Sequence, residues 1–158
     1  MICTIDTLSD IRTRNEDRTI AYTNGCFDIL HTGHLSVLQR CKIVGDIAVV
    51  GITPDAVVKQ KKGNDRPIQN QHARAALIDA FRYVDYTVIT PEFATGFKFI
   101  GQYVLDSLRP DYFITLDPLW ENDSDWLAER GIELILHQYQ PDHPSTSSII
   151  ERITGMSG

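Results

Sequence analysis

Thr23-Asn24-Gly25-Cys26-Phe27-Asp28-Ile29-Leu30-His31-Thr32-Gly33-His34 breaks a β-rich run at a glycine and sets two histidines three residues apart where a helical pattern begins. Ahead of it, Thr19-Ile20-Ala21-Tyr22-Thr23 is β-branched and aromatic enough for a buried strand. Behind it, Leu35, Leu38, Cys41 and Val44 return at helical spacing. The stretch therefore joins a strand end to a helix start. At such a junction the first helical N–H groups lack partners and the helix dipole favours anions, so it is a candidate phosphate cradle. His31 and His34 can face the same side of that first turn.

Working outward, Gly45 is a natural helix stop, and Ile47-Ala48-Val49-Val50-Gly51-Ile52 is an apolar run of the kind buried on both faces of a parallel sheet. Thr53 as cap and Pro54 in the first turn predict a short helix carrying Ala56, Val57 and Val58, with Lys59 to Asn70 as the main internal loop. Helical spacing resumes at Ala73, Ala76, Leu77, Ala80 and Phe81, before a strand over Tyr86 to Ile89. A helix over Lys98 to Leu108, with Phe97, Phe99 and Tyr103 on its core face, stops at Pro110 ahead of the strand Tyr112 to Leu116. Asp117 to Asp125 is acidic, with Trp120 and Trp126 read as packing or lid residues. A short helix near Trp126 to Arg130, a strand over Ile132 to Leu136, and a helix over Ile149 to Ile153 capped by the hydroxyls of Ser145 to Ser148 complete the pattern. Five strands alternating with helices predict one α/β domain, a Rossmann-like, doubly wound, parallel five-stranded sheet over 19–153, with 1–18 as a variable lead-in. No Gly-x-Gly-x-x-Gly follows the first strand and no Walker A loop occurs, so dehydrogenase and P-loop kinase readings lose their main support.

The chain has 158 residues, 42% hydrophobic and 23% charged, enough to bury one sizeable core. A net charge of −6 argues against nucleic acid or an anionic membrane surface as the main partner, so positive charge for a phosphate must be local. Cys3, Cys26 and Cys41 are odd in number and irregularly spaced, which points away from disulfides and toward a reducing cytoplasm. No basic leader or membrane-length apolar run is present, so a soluble, cytoplasmic protein is expected. The histidine pair lacks the second ligand pair that structural zinc requires, and no protein-held metal is expected.

A triphosphate over the first loop needs N–H donors and a few cations. His31 and His34 can donate Nε2–H to phosphate oxygens. Lys59, Lys61, Lys62 and Arg66 form a basic cluster able to close over phosphates, and Ser145, Thr146 and Ser147 sit at a helix start suited to a leaving pyrophosphate. His72, His137 and His143 carry no motif and read as surface or loop residues.

Through His31-Thr32-Gly33-His34 and Ser145-Thr146-Ser147-Ser148-Ile149-Ile150, the chain resembles the cytidylyltransferase-like nucleotidyltransferase family. Within it, the stretch from Thr23 to His34, the loop Lys59, Lys62, Gly63, Arg66, Pro67 and the pair Val84-Asp85 are most similar to the adenylyltransferase domain that activates heptose 1-phosphate. The resemblance implies a Mg²⁺-dependent attack of a sugar or polyol phosphate on the α-phosphate of a nucleoside triphosphate, with release of pyrophosphate. It implies that His31 and His34 stabilise the α- and β-phosphates, that Lys59 and Lys62 form a mobile cationic loop, and that Arg66 and Arg74 add phosphate contacts. Gly25, Cys26, Phe27 and Gly33 would line the nucleotide, and Asp117 would lie by the base and ribose. A homodimer is implied as well. Ile114-Thr115-Leu116-Asp117-Pro118 departs from the family in having leucine where the relatives carry glycine, and Gln138 to His143 lacks the arginine of the cytidylyltransferases. ATP is therefore expected over CTP. Glycerol 3-phosphate cytidylyl transfer, flavin mononucleotide adenylyl transfer, and a nucleotide-binding regulatory module with little catalysis are the alternatives.

Overall fold

Ile47–Ile52 (β3) is buried at all six positions, which only a strand covered on both faces can be. The computed structural model describes residues 1–92 and 97–156, with only the backbone described over 97–100. On one side β3 pairs in parallel with β2 (Ile20–Gly25), in the register Ile20↔Ile47 through Gly25↔Ile52. On its other side lies β4 (Tyr86–Ile89), and β2 also pairs with β5 (Tyr112–Thr115), which carries β6 (Glu133–Leu136) on its far edge.

The sheet is doubly wound and parallel, as its alternating pattern predicts, but it has six strands in the order β1-β4-β3-β2-β5-β6. The sixth strand is β1 (Ile2–Cys3), paired with Thr87 and Val88 of β4. Two residues are too few to carry a period, so this strand is invisible in the sequence. Helix α1 (Leu8–Arg14) belongs to the same lead-in, where Leu8 and Ile11 are buried. Strand alternation sorts the core: Ile20, Tyr22, Ile47 and Val49 face one layer, while Ala21, Ala48, Val50 and Ile52 face the other.

Helices α2 (Thr32–Val44) and α4 (Gln71–Asp79) cover the second face, and α5 (Phe97–Leu108) and α6 (Ser124–Ala128) belong to the first. Several expected faces are rotated. In α4 the buried residues are Arg74, Ala75 and Ile78, whereas Leu77 is exposed. In α5 they are Val104, Leu105 and Leu108. Tyr103 is 45% exposed, and the side chains of Phe97 and Phe99 lie outside the described residues. Trp120 is buried edge-on against Phe113, with ring centroids 4.9 Å apart, so it packs the core. Trp126 stacks under the Arg130 guanidinium.

The largest departure is α3 (Asp55–Lys62). Lys59, Lys61 and Lys62 occupy its last turn and are not part of a loop. Val57 and Val58 anchor the helix in the core, and ammonium groups in a last turn complement the helix dipole. The cap position falls to Pro54, leaving Thr53 buried and paired with Asn24.

The strand order reverses between β2 and β5, and α2 begins at the carboxyl end of β2. Ligands bind at such a switch point in open α/β sheets.

Candidate active site

After Gly25 the chain turns through Phe27, whose φ of 48° is unusual for a bulky residue. Two buried ionic arrangements hold this turn. Asp28, with no exposed side-chain surface, accepts hydrogen bonds from Ile68 N at 2.9 Å, Gln69 N at 3.0 Å and Arg66 Nε at 2.9 Å. Burial pushes its pKa up, but the Ile68 and Gln69 amides and the Arg66 guanidinium outweigh it and hold the carboxyl below the ordinary value. Arg74, wholly buried, donates to the Cys26 carbonyl, to Thr53 O at 2.8 Å, to Asp55 Oδ1 at 2.6 Å and to Gln69 O at 3.0 Å.

Arg66 braces the loop through Nε to Asp28 while its Nη2 is buried without a partner, and Arg74 is corrected from a phosphate contact to a brace of the loop. A guanidinium whose edges already face protein acceptors has no donors to offer a ligand. Neither arginine lines the cavity above the loop.

That cavity, about 320 Å³, opens between the ends of β2 and β5. Of the expected residues, Gly25, Cys26, Phe27, His31, His34, Lys62, Asp117, Ser145, Thr146 and Ser147 line it. Lys59 does not, being exposed one helical turn before Gly63. Gly33 lies beneath the lining: a Cβ there would come within 2.9 Å of the His31 ring and 3.2 Å of Tyr139. The glycine between the two histidines thus lets His31 fold over the helix start.

The imidazoles of His31 and His34 stack with centroids 3.8 Å apart and planes at 22°, and Phe27 packs against His34 at 5.3 Å. Burial lowers the His34 pKa to about 3, helped by His31 and Lys62 and opposed by Asp28. His31 is lowered too, by burial and then by His143. Both rings are neutral at pH 7, so each carries one proton. Both Nδ1 atoms are buried without a hydrogen-bond partner, which favours that proton on Nε2 as a donor.

Two helix starts converge here. The N-cap of α2 is His31, whose side chain makes no capping bond, so the first amides of a 13-residue helix are open. The other is α7 (Thr146–Gly155), longer at its start than the sequence pattern predicts. Ser145 and Ser148 form a reciprocal capping box, which commits the Ser145 hydroxyl to Ser148 N and leaves the amides of Thr146 and Ser147 clear of the cap. Thr146 Oγ1 reaches Ile29 O at 3.5 Å, tying the two starts together.

On the opposite wall, Asp117 caps the 3-10 turn Pro118–Asp123 by accepting from Leu119 N at 2.9 Å. Burial lowers the Lys61 pKa while the Asp117 charge opposes it. Leu116, 44% exposed, lines the cavity beside Thr115.

Sequence reasoning missed Asn24 and Tyr139, which also line the cavity. His137 and His143 lie in the loop after β6, as expected. Tyr139 stands edge-on to His31 at 6.0 Å, with His137 and His143 each 6.2 Å from its ring. Only the β5–β6 register, Thr115↔Leu136, brings these residues to the site, and no local pattern reports it.

A cytidylyltransferase-like family model matches residues 22–152. The chain is similar to the bifunctional protein HldE of Campylobacter fetus subsp. fetus (strain 82-40), 45% identical over 151 residues, covering 92% of this chain and 30% of that protein. It is 39% identical over 145 residues to the bifunctional protein HldE of Helicobacter pylori (strain Shi470), covering 88% of this chain and 28% of that one. The chain thus spans less than a third of the length of these relatives. Among solved structures, the fold is shared with a lipopolysaccharide core biosynthesis protein from Thermoplasma volcanium GSS1, at TM-score 0.62 and 24% identity, covering 78% of this chain and 99% of that one. It is shared too with a pantoate-beta-alanine ligase from Francisella tularensis, at TM-score 0.65 and 18% identity, covering 99% of this chain and 77% of that one.

Proposed function

We propose a specific reaction for this chain, which belongs to the cytidylyltransferase-like family of nucleotidyltransferases: transfer of a nucleoside monophosphate, from ATP in preference to CTP, onto a sugar phosphate of the heptose 1-phosphate type. An acceptor phosphate oxygen attacks the α-phosphorus, the α–β bridging P–O bond breaks, and its electron pair leaves with pyrophosphate. The attacking phosphate is already ionised, so no general base is required. Catalysis then consists of positioning and of donors aimed at the developing charge.

The observation that carries this reading is the stacked, neutral His31 and His34 pair with unpaired Nδ1 atoms, set at the start of α2 inside the cavity. Their Nε2–H groups would meet the α- and β-phosphates. Lys62 would supply the cationic charge, and the amides of Thr146 and Ser147 the contact to leaving pyrophosphate. A helix start contributes up to about 2 kcal/mol toward an anion in a partly buried site. Among the described residues no group of three His, Cys, Asp or Glu could cage a metal. Mg²⁺ would therefore enter with the triphosphate it neutralises, as a part of the substrate. Leu116, partly exposed in the cavity wall, would narrow the nucleoside side. No described helix is long and apolar enough to cross a membrane, and a cytoplasmic homodimer completes the proposal.

The test is pyrophosphate release across pairs of ATP or CTP with heptose 1-phosphate, glycerol 3-phosphate and flavin mononucleotide. ATP with the heptose phosphate should give the highest kcat/KM. Release only with CTP would overturn the nucleotide assignment, and no release from any pair would overturn the enzymatic one.

A further inference from the structure

We propose that His137 is a positioning residue for the phosphate-binding turn, fixing through Ser36 the Gly33 carbonyl that lies between His31 and His34. The proposal rests on reading the cavity as a triphosphate site. Ser36 Oγ is 2.8 Å from Gly33 O and 2.9 Å from His137 Nε2. A hydroxyl has one hydrogen and a carbonyl can only accept, so Ser36 donates to Gly33. His137 Nε2 must then carry a proton and donate to Ser36. Burial, followed by the charges of Arg40 and His143, lowers the His137 pKa, so at pH 7 the ring is neutral and its single proton sits on Nε2. The bonds therefore run in one direction, from His137 through Ser36 to Gly33.

His137 is well placed to hold something still. Its own amide donates to Thr115 O at 2.8 Å, continuing the β5–β6 ladder one residue past Leu136. The His137 backbone is thus fixed to the sheet on the β5–β6 side of β2, and its ring bond reaches Ser36 in α2 from there. Tyr139, two residues on, presses edge-on against His31. A turn held from one side only could shift its imidazoles by a fraction of an ångström, and near-attack geometry is sensitive to displacements of that size.

The experiment compares Ser36→Ala, His137→Phe and His137→Gln in pyrophosphate release, alongside thermal melts and imidazole NMR of His31 and His34. Gln places an amide N–H where Nε2 stood, while Phe keeps the ring packing on Tyr139 without the donor. Ser36→Ala and His137→Phe should each lower kcat by about 10-fold or more, with KM for nucleotide within about twofold and the imidazole resonances moved. His137→Gln should restore both readouts. A His137→Phe enzyme with wild-type kcat and unmoved resonances would overturn the proposal, as would His137→Gln behaving like His137→Phe. If the wild type releases no pyrophosphate, the triphosphate reading fails, and the resonances alone still decide whether His137 positions the turn.

Discussion

The two walls of the cavity are built to different standards. The wall from Gly25 to His34 is tied to distant parts of the chain by buried, charge-assisted bonds: Asp28 to Arg66, Ile68 and Gln69, and Arg74 to Cys26, Thr53 and Asp55. The wall formed by Leu116, Asp117 and the segment before α7 is held by short-range bonds, Asp117 to Leu119 and Ser145 to Ser148, and by two uncharged long-range ones, Thr146 to Ile29 and His137 to Ser36, and it exposes Leu116 and Leu119. The contrast matches the tasks proposed for the two walls. Stabilising charge on a phosphorus demands a backbone with no alternative position, whereas choosing a nucleoside demands side chains that can change at little cost to the fold.

The sharpest way to break the contrast is at its strongest brace. Arg74→Ala strands the Cys26 and Thr53 carbonyls and the Asp55 carboxylate, and should cost about 3–5 kcal/mol, a fall in Tm on the order of 10 °C by calorimetry. A Tm within a degree or two of wild type would mean that the first wall is no more rigid than the second. His34→Ala should lower kcat by about two to three orders of magnitude, near 3–4 kcal/mol of barrier, while barely moving Tm, and steady-state pyrophosphate release measures it. On the second wall, Leu116→Gly should move the ATP-to-CTP ratio of kcat/KM toward unity by about tenfold and change stability by only about 0.5 kcal/mol.

A further effect concerns pH. His34 titrates near 3 when folded and at 6.5 when free, so below 6.5 the unfolded chain takes up a proton that the folded ring refuses. Stability should therefore fall as pH drops from 6.5 toward 3. Asp28 acts in the same direction, since a lowered carboxyl loses its contribution as pH falls through its folded pKa. Urea midpoints should decline on acidification, less steeply in His34→Gln, while kcat shows no ionisation from His34 between about pH 5 and 8. An ionisation of kcat near neutrality that vanishes in His34→Gln would contradict the neutral pair.

Legibility in the sequence divides along the same line. The strand, loop and helix around His31 and His34 could be read locally because glycine, histidine and apolar spacing all lie within one stretch. Arg74 was legible as a residue but not as a brace: it sits among Ala75 and Ile78 on a buried face, where periodicity counts an arginine as polar. The lysines of α3 look like a loop because nothing in a run of charge reports two buried valines just before it. Tyr139 was the least legible, since parallel pairing between β5 and β6 brings it to the cavity and pairing leaves no local trace.

Apart from Lys62, the cavity draws its walls from residues 23–37 and 115–147, early and late in the chain's order of synthesis. Pairing of β2 with β3 closes a short loop and can form early, whereas β5 must cross four helices and two strands of intervening chain to reach β2. Until that last crossing is made there is no pocket at all, only half of one. The nucleotide proposed for this cavity would clasp its two halves together, and its stabilisation by mass action should slow unfolding rather than speed folding.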